Sequence, residues 1–252
     1  MSCFDVVCLD GQDYFTFGGQ RSTDFGLFIV GERDFSSSDR DVKQVKILGK
    51  DGDCIIDQGR NENYERKLEC YLVVKDWRKL HSSVSTIKNW LHRDSKYKEL
   101  TLSYEEGAYY VASMVSKIDA KMIDVQIASV QITFTVKPFK YSHDSFVARK
   151  HTEAFNIYNP DTLWALPYIK VVGSGDINLH IGANTYALKN VDGYIELDSE
   201  LQIVYKKVDG IINNRSDRMR TRWFPNFKEG DNAVSWTGNV SSIEVIPRWR
   251  SR

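Results

Sequence analysis

The sequence predicts a mainly β protein: an α+β first domain with one helix packed on a β-sheet, followed by an all-β second domain. Three observations carry this. In residues 125–142 (VQIASVQITFTVKPFKYS), Val130, Ile132, Phe134 and Val136 alternate with Gln131, Thr133 and Thr135, the period of a strand with one buried face. Only residues 76–92 carry helical spacing, with Trp77, Leu80, Val84, Ile87 and Leu91 at steps of three and four. The second half holds short alternating runs about ten residues apart, the spacing of a β-sandwich.

Taken in order, Tyr14 to Phe17 reads as a short strand, Gly18-Gly19 as a turn, and residues 27–30 as a second strand. Residues 32–40 are polar, with three consecutive serines, and read as an exposed, mobile loop. Residues 42–56 read as a hairpin. Val45 and Ile47 lead in, Gly49, Lys50, Asp51, Gly52 and Asp53 turn, and Ile55 and Ile56 lead out. Asp51 and Asp53 lack the spacing and closing glutamate of an EF-hand, so they read as turn residues. Leu68, Cys70, Leu72 and Val74 share one face of the next strand. Asp76 caps the helix, and Asp94 and Ser95 end it. Strands follow at residues 99–103, 108–115 and 122–136, with Glu105 to Gly107 as a turn. Pro138 ends the last of these, because proline cannot donate to a ladder. Polar residues gather after it, which sets the domains at residues 1–142 and 143–252.

In the second domain residues 168–172 form a strand, Ile177, Leu179 and Ile181 another, and Tyr186 and Leu188 a return strand. Asp192-Gly193 and residues 198–200 are turns within the following strands. Residues 209–222 are polar, basic and aperiodic, and read as a flexible loop. Residues 224–232 lead to an apolar run at 233–236, and residues 240–246 close the fold with Ile243 and Val245 inside.

Composition narrows the function. The chain has 252 residues, 42% hydrophobic and 27% charged, with 34 basic and 34 acidic side chains. A neutral chain lacks the electrostatic footprint of a sequence-specific nucleic-acid binder. No apolar run approaches the roughly 20 residues that span a bilayer. Residues 1–10 lack a cationic start and apolar core, so they do not read as a secretory signal. Cys3, Cys8, Cys54 and Cys70 have no metal-site spacing and read as reduced thiols. No cofactor is implied.

Catalytic motifs are absent. Glu105/Glu106 and Asp198/Glu200 fall at turns, where acids serve local hydrogen bonds. The five histidines show no metal-binding spacing, and His180, between Leu179 and Ile181, faces solvent. Arg215, Arg218, Arg220 and Arg222 read as a solvated loop rather than a phosphate site. Trp164, Trp223 and Trp236 are candidates to stack on sugar rings, although tryptophan in such a fold is more often core.

Six stretches in order resemble one family. They are FTFGGQRSTDFGLFIV, ILGKDGDCIIDQGR, IKNWL with YKELTLSYEEGAYYVA, ITFTVKPFKYS, VVGSGDINLHI with GYIELDSE, and FPNFKEGDNAVSWTG with PRWR. Together they resemble the distal tail proteins of siphovirus bacteriophages, mostly those of Gram-positive hosts, with Lys50 where that family carries arginine. The resemblance implies a first domain related to tail-tube building blocks and a galectin-like second domain. It implies a non-enzymatic structural hub of the virion at the phage tail tip, synthesised in the host cytoplasm. That hub is a homo-hexameric ring with a central channel for the genome. Its partners are the major tail tube protein, a tail-associated fibre or lysin protein, and receptor-binding or baseplate proteins. The hairpin tip, Gly49 to Asp53, is the candidate subunit contact. No histidine–asparagine–arginine sugar set is present to carry over from galectins. Two other classes compete: a carbohydrate-binding module that contacts the host wall, and a wall hydrolase, which would need paired carboxylates in a cleft.

Overall fold

The computed structural model describes residues 11–252; the expectations for residues 1–10, including Cys3 and Cys8, lie outside the described residues. The fold is mainly β. It divides into two compact units, residues up to Lys140 together with Arg252, and Tyr141–Ser251.

The first unit contains β1 (Phe15–Phe17), β2 (Gln20–Arg21), β3 (Leu27–Ile29), β4 (Arg40–Val45), β5 (Cys54–Asn61) and β6 (Tyr64–Val73). Helix α1 (Leu80–Leu91) follows, then β7 (Lys98–Leu102), β8 (Ala108–Ser113), β9 (Asp119–Asp124) and β10 (Ile127–Ser142). The main sheet runs β2-β1-β7-β8-β10-β6-β3, with β9 also on β10, while β4 and β5 form a separate ribbon. At its centre β6 and β10 share ten antiparallel pairs, from Val73↔Ile127 to Tyr64↔Val136. The predicted alternation of β10 is the observed one: Val130, Ile132, Phe134 and Val136 are all buried. They meet Leu68, Cys70 and Leu72 of β6 and Ile87, Trp90 and Leu91 of α1 in a single core.

Three expectations for this unit need correction. Residues 122–136 form two strands rather than one, because the chain reverses after Asp124, whose Oδ1 accepts the Val125 N–H at 2.6 Å. Pro138 does not end β10, which continues to Ser142. The β6 ladder stops at Val136↔Tyr64, so the missing proline N–H costs that ladder nothing. The helix starts with a 3-10 turn at Trp77–Lys79, capped by the Asp76 side chain on the Arg78 N–H. Its tighter winding rotates Trp77 off the apolar stripe and leaves it 62% exposed. Trp90 is buried instead, stacked on Phe15 and Phe25 with centroids 5.8 and 4.4 Å away.

The second unit contains β11 (Arg149–His151), β12 (Phe155–Asn159), β13 (Tyr168–Ile181), β14 (Asn184–Val191), β15 (Tyr194–Asp198), β16 (Ile203–Val208), β17 (Ile211–Asn214) and β18 (Gly230–Ile246). The order is β11-β18-β13-β15-β16-β17, with β12 also on β18 and β14 also on β13. The runs at 168–172 and 177–181 belong to one strand, β13, and those at 233–236 and 240–246 to another, β18. Each long strand serves two sets of neighbours. The first half of β13 pairs with β15 and its second half with β14. Their mutual ladder, from Tyr168↔Ile246 to Ile181↔Val234, slips between Val172 and Gly173 and between Ser174 and Asn178. One curled sheet thus wraps one core, which includes Ile169, Ile177, Leu188, Leu197, Val234, Ile243 and Val245. Residues 209–222 are not a free loop: β17 pairs with β16, and Met219 bridges to Leu188 and packs on the core.

Two glycines permit the slip. A Cβ on Gly173 would lie 2.3 Å from the Asn239 carbonyl oxygen, and one on Gly238, at φ +105°, 2.4 Å from the Asp176 carbonyl oxygen. Both obstacles are backbone and cannot swing aside. Gly173→Ala should therefore destabilise the protein by about 1–3 kcal/mol through overpacking alone. Urea denaturation checks this, and unchanged stability would mean that the backbones are not held in contact.

Candidate functional site

Strands β4 and β5 pair from Arg40↔Asn61 to Val45↔Cys54, so residues 46–53 form the projecting end of a two-stranded ribbon. The five predicted contact residues, Gly49 to Asp53, sit together at this tip and are exposed. So are the apolar side chains beside them: Ile47, Leu48, Ile55 and Ile56, with Leu48 uncovered entirely. A ribbon without a second layer cannot bury both faces, and contiguous exposed apolar side chains mark a surface that takes a partner. The sequence located the tip but not this exposure, because Ile55 and Ile56 read as ordinary strand residues. Ion pairs Arg40–Asp57 and Arg60–Asp41 cross the ribbon, but their exposure makes them weak supports.

The ribbon's root is held differently. Arg66 occupies the buried parity of β6 with Leu68, Cys70 and Leu72, and its side chain is 1% exposed. Its Nη1 donates to Glu105 Oε1 at 3.0 Å, and the guanidinium lies over the Tyr110 ring at 4.2 Å. Glu105 Oε2 accepts from the Tyr110 hydroxyl at 2.7 Å and from Lys140 Nζ at 3.3 Å. Arg66 Nη2 also reaches the Ser36 carbonyl, and Phe35 meets the Tyr104 ring edge-on. Residues 32–40, expected to be mobile, are therefore tied to the sheet just before β4. Burial alone would raise the Glu105 pKa, but the hydrogen bonds from Tyr110 and Arg66 and the charges of Arg66 and Lys140 hold it below the ordinary carboxylate range.

Of the carboxylates considered for catalysis, Glu105 and Asp198 are thus structural. Glu105 does lie in the turn between β7 and β8, and its carboxylate is also a buried ion-pair partner. Asp198 serves its turn, accepting the Glu200 and Leu201 N–H groups, and also takes both terminal nitrogens of Arg248 at 2.7 and 2.9 Å. Its pKa falls although burial opposes it, because Arg248 donates to it. Among the described residues no three His, Cys, Asp or Glu side chains gather as a metal site would require. In the basic cluster, Arg218 donates to the Asn190 carbonyl and Arg220 N–H to the Ala187 carbonyl. His180 is half-buried, 2.9 Å from the Thr185 hydroxyl. The tryptophan expectation divides: Trp236 packs on the core, while Trp164 and Trp223 are 55% and 73% exposed and line one concavity.

A mainly β chain of two units, with a free ribbon in the first and a curled sheet in the second, is a fold already seen in a solved phage protein. The crystal structure of the Dit protein of phage SPP1, titled a paradigm of the hub adsorption apparatus in phages infecting Gram-positive hosts, superposes with a TM-score of 0.71 at 15% identity, covering 92% of this chain and 97% of that one. A chain of the phage P2 baseplate in its activated, calcium-bound conformation matches with a TM-score of 0.45 at 8% identity, covering 93% and 96%. No family model and no curated protein sequence matches.

The buried pairs fix the acid response. The folded Glu105 and Asp198 bind protons less readily than their unfolded forms, so their stabilisation is complete above the ordinary carboxylate range and is lost as pH falls through and below it. Melting temperature should hold from neutrality to about pH 5 and then drop. The combined variant Glu105→Gln, Asp198→Asn should be less stable at neutral pH and lose less on acidification; an acid response equal to the native one would refute the assignment. Arg66→Met should cost about 3–5 kcal/mol in urea denaturation, and replacing Glu105 by leucine as well should restore most of it.

Proposed function

We propose that this chain is a structural component of a phage tail tip, a hub on which adsorption proteins assemble. The observation that carries the reading is end-to-end likeness of fold: nearly the whole chain superposes on nearly the whole of SPP1 Dit. The described features fit a scaffold. Glu105, Asp198 and Glu200 are engaged in ion pairs, and the ribbon carries uncovered apolar side chains.

In this reading the subunits form a closed homo-hexamer around a genome channel, in contact with the tail tube protein on one side and with fibre or receptor-binding proteins on the other. Closed rotational symmetry satisfies a heterologous contact without leaving open ends. The Gly49 to Asp53 tip, with Ile47 and Leu48, reaches the neighbouring subunit, and its apolar side chains supply the contact that polar ribbon pairs cannot. Domains 1–142 and 143–252 fold separately, each around its own core.

Negative-stain imaging and light scattering of the purified chain, alone and with the tail tube protein, test this. Rings with a central hole are expected. Ile47→Asp with Leu48→Asp should abolish them while leaving the melting temperature within about 2 °C, since surface substitutions rarely exceed 0.5 kcal/mol. A chain that stays monomeric with tail proteins present would overturn the hub reading.

A further inference from the structure

The concavity beside Trp164 and Trp223 is built from three segments of the second unit. Trp164 precedes β13, Asn184 to Tyr186 open β14, and residues 221–226 precede β18. Backbone bonds lock these segments together. Ala165 and Phe227 exchange N–H···O bonds at 2.9 and 3.1 Å, and the Arg220 N–H donates to the Ala187 carbonyl at 2.9 Å. The Thr221 hydroxyl accepts from the Ala187 N–H at 3.3 Å, and Arg250 Nε holds the Trp164 carbonyl at 2.9 Å. The site is therefore preformed. Its volume is about 350 Å³, within the range of about 300–1,000 Å³ typical of small-ligand sites.

Its chemistry is mixed in a specific way. Two indoles supply flat apolar walls that no core covers. Between them stand amide and hydroxyl groups, and no lining side chain carries a formal charge. Tyr186, which lines the concavity, is itself buried. The Asn226 Oδ1 is buried and has no hydrogen-bond partner among the described residues. A buried acceptor left without a donor costs stability unless something satisfies it. Together these groups ask for a neutral molecule with an apolar face to lie on an indole and a rim of hydroxyls, some donating.

We propose that this concavity binds a neutral saccharide, with one pyranose ring seated against Trp223 and Trp164 and its hydroxyls meeting the amide and hydroxyl groups of Asn184, Thr185, Thr221 and Asn226. A pyranose presents an axial C–H face to the electron-rich face of an aromatic ring while its hydroxyls point outward. Amides and threonine hydroxyls both donate and accept, as sugar hydroxyls do. No lining side chain is a cation that could hold an anionic wall polymer, and the nearby Lys228 Nζ is engaged over the Trp164 ring, 5.6 Å from its centroid. A proline-rich peptide needs a groove whose donors reach successive carbonyls, whereas the buried group left open here is an acceptor.

The proposal does not rest on the hub reading. Rings without sugar binding would overturn only this inference, and sugar binding without rings only the other. The test uses the full chain on a printed array of neutral hexose, N-acetylhexosamine and 6-deoxyhexose oligosaccharides. Tryptophan-fluorescence titration with the strongest hit follows. Saturable binding is expected. Trp223→Ala and Trp164→Ala should each weaken it about tenfold or more, and Asn226→Ala severalfold. Trp77→Ala, which alters an exposed tryptophan of the first unit, should leave it unchanged. Trp223 is exposed, so its loss should not shift the melting temperature. Three results would overturn the proposal: no neutral glycan bound up to about 10 mM, equal binding by the tryptophan variants, or binding only of an anionic polymer or a proline-rich peptide through the same residues.

Discussion

A single buried charge disciplines the first unit. Arg66 stands on the core face of its strand, where leucine or valine would cost nothing in desolvation. Once placed there it must be answered from several directions: a carboxylate from the β7–β8 turn, a tyrosine face from β8, and a carbonyl from the segment ahead of the ribbon. Each answer fixes a different piece of chain relative to the central β6–β10 ladder. An ion pair in such a place adds little net stability, since well-packed apolar residues serve as well. What it does is tie turn, strand and loop together through its two terminal nitrogens and its face on Tyr110, while its Nε has no hydrogen-bond partner among the described residues.

The second unit is governed by packing rather than charge. Its two long strands cross at a slip in register that only glycine permits, and the sheet turns back on itself there. Segments clamped across the resulting mouth carry the two uncovered indoles, so the aromatic concavity is a by-product of how the curled sheet is closed.

Much of this was legible in the residues. The β10 alternation, the single helix, the hairpin around Asp51-Gly52 and the second-half strands follow from period and turn chemistry. What escaped did so for physical reasons. Arg66 carries the parity of Leu68 and Cys70, and parity alone put it in the core, but a charge is read as exposed by default. The ion pair of Glu105 escaped because its partner lies 39 residues away. The exposure of Trp164 and Trp223 depends on which loops clamp together, and no local pattern records that. Residues 209–222 looked aperiodic because β17 is four residues long. Pro138 lies beyond the last β6 pair, so the N–H it lacks is not one that β6 uses.

The place of β18 has a consequence for the order in which this protein is made. It lies inside its sheet, between β11 and β12 on one side and β13 on the other, yet every one of those strands leaves the ribosome before it. Until it emerges, β13 has a bare edge along its whole length and β11 and β12 have no partner. The central β6–β10 ladder of the first unit faces no such delay, because β10 is complete by Ser142. The nascent chain thus passes through an interval with one finished core and one open sheet, the state in which unpaired edges of neighbouring chains find each other. Speed of synthesis through residues 182–246, more than final stability, sets how long that exposure lasts.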